Sequence, residues 1–308
     1  MDTKITVMGL GGVGGYLAAM LAKKWPENVS CIARGKRMES IREKGLVVHS
    51  ERNGEMVAHP AKVTDKVEEL GVQDIIFVCV KNYSLEDACR QIAPIVGENT
   101  VVVPVMNGVD PGDRTREYLG KGRVVDSVIY IISGANEDFS VTQTGSYAYI
   151  FFGVNNADPR QKEAIDLVEE IFTGAEVDGR RVEDIEAAIW TKYVFNCAYN
   201  VITTRYMATT GQLRADPVKT GEMRALLEEA IAVGVKAGVN FPEGLLEDRM
   251  DHFLNHQPAG GTSSMRRDKD AGKPLELETF SGYICRRAAA LGVDAPVSNR
   301  FYQALKAL

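Results

Sequence analysis

Apolar residues follow two different rhythms along this chain. In the first half they come as short, near-continuous runs: 5–8, 29–33, 75–80, 100–106, 124–133 and 147–152. Runs of this length, rich in Val and Ile, read as strands buried on both faces. Helical spacing fills the gaps, in the Ala/Leu-rich stretch after Gly14 and again over 85–93. Strand and helix in alternation predict a largely parallel sheet covered on both sides. Thr142-Gln143-Thr144-Gly145 reads as a turn between two late strands, which would make the far edge antiparallel. After about residue 155 helical periodicity takes over, at 159–173, 182–206, 217–238, 243–255 and 275–291. Pro258 to Gly261 interrupts it, and Thr262 is expected to cap a short charged helix ending near Gly272.

The first strand runs into Gly9-Leu10-Gly11-Gly12-Val13-Gly14, and a helix and a second strand follow. This is the context in which Gly-x-Gly-x-x-Gly binds a dinucleotide. The first glycine permits the tight turn, the second admits the pyrophosphate to the backbone, and the third lets the helix pack on the strand. The diphosphate then meets the positive end of the helix dipole. The expected fold is therefore α/β: an N-terminal Rossmann-type dinucleotide-binding domain over 1–178 and a C-terminal all-helical domain over 179–308. An NAD enzyme commonly places Asp or Glu at the end of the second strand; here the position holds Arg34, with Lys36 and Arg37 close behind. Positive charge at this point suits the 2′-phosphate of NADP. Lys81, Asn107 and Gly108 follow later strands on the same rim, where cofactor or substrate contacts are expected.

Composition narrows the class without adding chemistry. The chain has 308 residues, 45% of them hydrophobic, and a net charge of −6. That balance argues against a nucleic-acid or anionic-membrane surface. The five cysteines (Cys31, Cys79, Cys89, Cys197, Cys285) form no C-x-x-C pair and read as buried and reduced. Residues 5–22 carry no charge, but five glycines within 9–15 make a poor signal-peptide core, so a mature, cytoplasmic N-terminus is expected. His252 and His256 have zinc-compatible spacing, yet no Glu follows His252 and no third ligand is evident, so no metal is expected.

The helical half carries one unusual stripe. Lys192, Asn196 and Asn200 recur every fourth residue on a helix that is otherwise apolar or aromatic. Asn is a poor helix former unless its amide is used, and a buried ammonium needs a partner. Candidate partners come later, at Ser263, Ser264, Asp268, Glu276 and Glu278.

In order and spacing, the whole set resembles the ketopantoate reductase (2-dehydropantoate 2-reductase) family. It comprises Gly9-x-Gly11-x-x-Gly14, Arg34, Val80-Lys81, Asn107-Gly108, Trp190-x-Lys192-x-x-x-Asn196-x-x-x-Asn200, Ser263-Ser264-Met265-x-x-Asp268 and Leu275-Glu276-Leu277-Glu278. The resemblance implies NADPH-dependent reduction of ketopantoate (2-dehydropantoate), a 2-oxo acid, to pantoate, with Lys192 the catalytic lysine and Glu276 the active-site acid. It further implies Asn107, Lys192, Asn196, Asn200, Thr210 and Ser264 on the substrate side, and Lys81, Asn107 and Arg34 on the cofactor side. Thr210 is a departure, since the best-known members carry Asn before Gly-x-Leu at this point. A related 2-hydroxy-acid dehydrogenase with another branched or aromatic substrate therefore stays open; independently of Thr210, so do a non-catalytic NADP-binding module and a homodimer.

Overall fold

The N-terminal apolar run becomes β1 (Ile5–Met8), and the glycine turn leads from it into α1 (Gly12–Lys24). The computed structural model describes residues 2–307. β2 (Val29–Ile32) and α2 (Gly35–Lys44) come next, then a hairpin of β3 (Leu46–Ser50) and β4 (Gly54–Ala58), and β5 (Lys62–Thr64). β6 (Ile75–Val78), α3 (Leu85–Ile92), β7 (Val101–Pro104), α4 (Pro111–Leu119) and β8 (Arg123–Val124) complete the first sheet. Its order is β5-β2-β1-β6-β7-β8, with every pairing parallel. Strand order reverses at β1, so the glycine turn leaves the sheet at its switch point. Because Met8, Val78 and Pro104 share one register line, the residues beyond them emerge on a single rim.

The second sheet contains β9 (Asp126–Ala135), β10 (Val141–Gly153) and, after α5 (Pro159–Gly174), β11 (Asp178–Arg181). β10 pairs antiparallel with β9, and parallel with β3 and β11 at different points along its length. The turn expected at 142–145 is instead a bulge inside β10, between Thr144 and Ala148. Fully buried Gln143 fixes it, donating Nε2 hydrogen bonds to Thr144 O at 2.8 Å and Gly145 O at 2.7 Å. The hairpin turns at 136–140, where Asn136 N donates to Ser140 O at 2.8 Å and Phe139 adopts a φ of +70°. The apolar face of α1 packs between the two sheets within one core, with Leu17, Leu21, Val48, Ile75, Val141 and Phe152 all buried.

Two compact units meet at Ile185/Glu186, later than the 178/179 boundary read from periodicity. The cause is β11, whose sequence Asp-Gly-Arg-Arg has no apolar pattern. It forms because it can pair with Tyr149–Phe152 of β10, with Arg180 lying 4.2 Å from the Tyr149 ring centroid. The second unit is helical. α6 (Ile185–Tyr206), α7 (Thr210–Arg214), α8 (Pro217–Lys236), α9 (Leu245–Asp251), α10 (Ser264–Asp270), α11 (Tyr283–Leu291) and α12 (Pro296–Lys306) build it. Wide helical turns at His252–His256 and Glu278–Gly282 extend α9 and precede α11. The cap of α10 is Ser263 and not Thr262: Ser263 Oγ accepts from Arg266 N at 3.2 Å. No helix among the described residues is long and apolar enough to cross a membrane.

Candidate active site

The glycine turn is held by contacts that exclude side chains. Gly9 has a φ of +91°, and a Cβ there would lie 2.7 Å from Val80 Cγ1 and 2.9 Å from the Cys79 carbonyl. A Cβ on Gly14 would overlap the Gly9 carbonyl oxygen, and one on Gly12 would come within 2.8 Å of the Ser133–Gly134 backbone. Gly11 differs, because a Cβ there would meet nothing within 4 Å. Gly11 is also the N-cap of α1, where no side chain caps the helix and no acid lies in the first turn. Backbone N–H groups beside open space are what a diphosphate requires. The cradle therefore fits a dinucleotide.

Arg34 closes β2 at the N-cap of α2, is exposed, and pairs with no other described residue. Arg37 is tied inward: its Nη1 donates to Leu10 O at 2.7 Å, and the guanidinium lies 5.0 Å from the Phe139 ring centroid. Burial draws the Arg37 pKa down. The basic loop is thus braced against the glycine turn through one arginine while the other faces solvent. Lys81 and Asn107 come beyond β6 and β7 on the same rim. A residue missed in the sequence, Asn82, joins them: its Nδ2 donates to Asn107 O at 2.7 Å, and Arg114 Nη1 donates to its Oδ1 at 3.3 Å.

In the helical unit, α6 is buried on nearly every side. Between Ile189 and Thr204 only Thr191, Lys192 and Asn196 keep partial exposure. Lys192 and Asn196 are one turn apart, so they form a small polar window on an apolar helix. Burial draws the Lys192 pKa from 10.5 down to about 8, and the carboxylate of Glu276 works against that fall. Glu276 is only 4% exposed. Its neighbour Glu278 is committed elsewhere, accepting from Tyr302 Oη at 2.6 Å and pairing with Arg286. Of the acids that the sequence left open, Glu276 is therefore the one whose charge acts on Lys192.

Asn196 gives its backbone carbonyl to Asn200 Nδ2 at 2.8 Å, while its own carboxamide bonds to none of the described residues. Asn200 is buried and occupied: its Oδ1 accepts from Ser264 Oγ at 3.1 Å and from Met265 N at 2.9 Å. Thr203 Oγ1 adds a bond to Ser263 Oγ at 2.7 Å, so α10 is docked end-on to α6. Thr210 is fully buried, with its hydroxyl 2.7 Å from Tyr199 Oη and donating to Gly261 O at 3.2 Å. The hydroxyl of Thr210 thus tethers the 258–261 loop. His256 pairs with Asp251 at 3.0 Å and His252 with Gln257 at 2.8 Å, and no metal-holding cluster of His, Cys, Asp and Glu occurs among the described residues. All five cysteines are buried and free.

Comparison with known proteins gives a consistent result. Residues 5–157 match the family model described as ketopantoate reductase PanE/ApbA, and residues 184–308 match the model of that family's C-terminal part. A 2-dehydropantoate 2-reductase of Mesorhizobium japonicum is 31% identical over 300 residues, covering 90% of this chain and 89% of that protein. YkpB of Bacillus subtilis, an uncharacterized oxidoreductase, is 28% identical over 303 residues, covering 98% of each chain. The crystal structure of 2-dehydropantoate 2-reductase from Porphyromonas gingivalis W83 superposes with a TM-score of 0.83 at 28% identity, covering 99% of this chain and 100% of that one.

Proposed function

The chain belongs to the ketopantoate reductase family, and from that premise we propose that it reduces ketopantoate (2-dehydropantoate) to pantoate with NADPH. The main support is the window on α6, where a lysine with a pKa drawn down to about 8 stands one turn from an uncommitted carboxamide. When bound, the nicotinamide supplies a hydride for the ketone carbon. The rest falls to the protein. Negative charge grows on the ketone oxygen during reduction, and the Lys192 ammonium is suited to stabilise that oxygen and then protonate it. A donor with a pKa near 8 is still charged at neutral pH yet releases its proton more readily than an exposed lysine. Glu276 keeps that charge in place. Asn196 offers neutral hydrogen bonds to orient the substrate, and Ser264, fixed by Asn200, stands ready to add another.

On the cofactor side, the glycine turn and the uncapped start of α1 hold the diphosphate. Arg34, beside Lys36 and lacking a competing acid, favours a 2′-phosphate. A second reading, a related reductase acting on another branched or aromatic 2-oxo acid, draws support from Thr210. Its hydroxyl is spent on Tyr199 and Gly261, so it does not offer what a longer Asn could. A panel of 2-oxo acids, assayed with NADPH and with NADH, separates these readings. Ketopantoate with NADPH is expected to give the highest kcat/KM. A different acid in first place favours the second reading, equal use of NADH removes the role of Arg34, and no turnover at all contradicts both.

A further inference from the structure

Tyr193 is fully buried and follows Lys192 directly on α6. Its ring meets Trp190 and Tyr283 edge-on, at centroid distances of 5.6 and 5.8 Å. Packing of that kind asks only for a phenyl ring, yet this residue carries a hydroxyl, and the hydroxyl is used. It donates to Thr279 O and Phe280 O, each at 2.8 Å. Those carbonyls belong to the wide turn Glu278–Gly282, in which Gly282 N donates back to Leu277 O at 3.0 Å. Such turns replace the regular ladder of an α-helix with longer i→i+5 bonds and are rare. Glu276 starts this one: its carbonyl accepts from Thr279 N at 3.1 Å and Phe280 N at 3.2 Å. The same two residues are thus bonded to Glu276 through their N–H groups and to Tyr193 through their carbonyls.

The geometry points to Tyr193 as a positioning residue that holds Glu276 at its working distance from Lys192. The assignment rests on the proposed roles of Lys192 and Glu276 and adds the part that sets their spacing. Several other charged groups near α6 hold partners of their own, Arg214 among them on Phe253 O and Gln257 O and Arg267 on Thr262 O. Glu278 is held by Tyr302 and Arg286, Arg266 by Asp270, and Glu222 by Tyr206 and Arg300, while His252 faces Phe195 and Gln257. Glu276 is the charge that raises the Lys192 pKa against burial.

Tyr193→Phe keeps the ring and its edge contacts and removes only the hydroxyl. In the full-length enzyme, kcat for 2-oxo-acid reduction is expected to fall roughly tenfold, with NADPH affinity unchanged. The alkaline limb of the kcat profile is expected to move to lower pH, because a loosened Glu276 supports the ammonium less. Glu276→Gln should move the limb the same way, and adding Tyr193→Phe to it should move it no further. A Tyr193→Phe profile that overlays the parent, or an undiminished second shift in the double variant, overturns the positioning role. Lys192→Ala run in parallel keeps two failures apart. If it leaves turnover intact, the reading of Lys192 falls and takes Tyr193 with it. If it abolishes turnover while Tyr193→Phe titrates as the parent does, the Tyr193 assignment alone falls.

Discussion

A lysine removed from water gives up stability to keep its proton, and Lys192 shows this in a form that can be measured. Its pKa in the folded protein is about 8, against an ordinary 10.5. The unfolded chain therefore binds that proton more tightly than the folded one, and stability rises with pH between those two values. Below about pH 8 the charged lysine costs about 3 kcal/mol; by pH 10.5 most of that cost is gone. Lys192→Met, which keeps the length of the side chain, is accordingly expected to be more stable than the parent at pH 7. The difference should shrink by about 3 kcal/mol at pH 10.5, as read from urea unfolding. A difference of the same size at both pH values would show that burial does not perturb this lysine. In the role proposed for Lys192 that cost has a use, because an acid poised near neutrality transfers its proton more readily than one at pKa 10.5.

At the scale of elements, the glycine turn separates tightly packed glycines from one that faces open space. Gly14 has no room for a methyl group, whereas Gly11 faces open space. Gly14→Ala is expected to lower stability by about 1–3 kcal/mol. Gly11→Ala should melt close to the parent yet lose most of the thermal shift expected from NADPH, since its methyl would occupy the proposed diphosphate cradle. Melting curves with and without NADPH test both, and an unshifted Gly11→Ala baseline with a full NADPH shift would refute the cradle. The turn, the parallel strands and the Lys192 stripe were legible in the sequence because each rests on local spacing. What escaped depends on partners far along the chain. β3 and β4 are short and half polar, and β11 has no apolar pattern, so pairing alone makes them strands. The Gln143 bulge reads as a turn in the sequence because Thr-Gln-Thr-Gly is turn-like in composition. Arg37 on Leu10, Asn82 on Asn107 and Tyr193 on Thr279 are each bonded across 25 residues or more, and no spacing rule could have paired them. Spacing also left Asp268, Glu276 and Glu278 as equals; family resemblance singled out Glu276, and the structure shows Glu278 engaged elsewhere.

Across the whole molecule, the proposed chemistry is divided between two units of different construction. The α/β unit provides a backbone cradle and an exposed arginine, both suited to a large anionic cofactor. The helical unit provides a charged side chain whose proton affinity is set by burial and one carboxylate. Cofactor binding and chemistry should therefore be separable by mutation, and that separation is the central claim. The most direct measurement is turnover and NADPH affinity of full-length Lys192→Ala, side by side, with ketopantoate as substrate. The account predicts a kcat lowered by roughly 10²–10⁴-fold with an NADPH Kd close to that of the parent. Turnover equal to the parent's would contradict it.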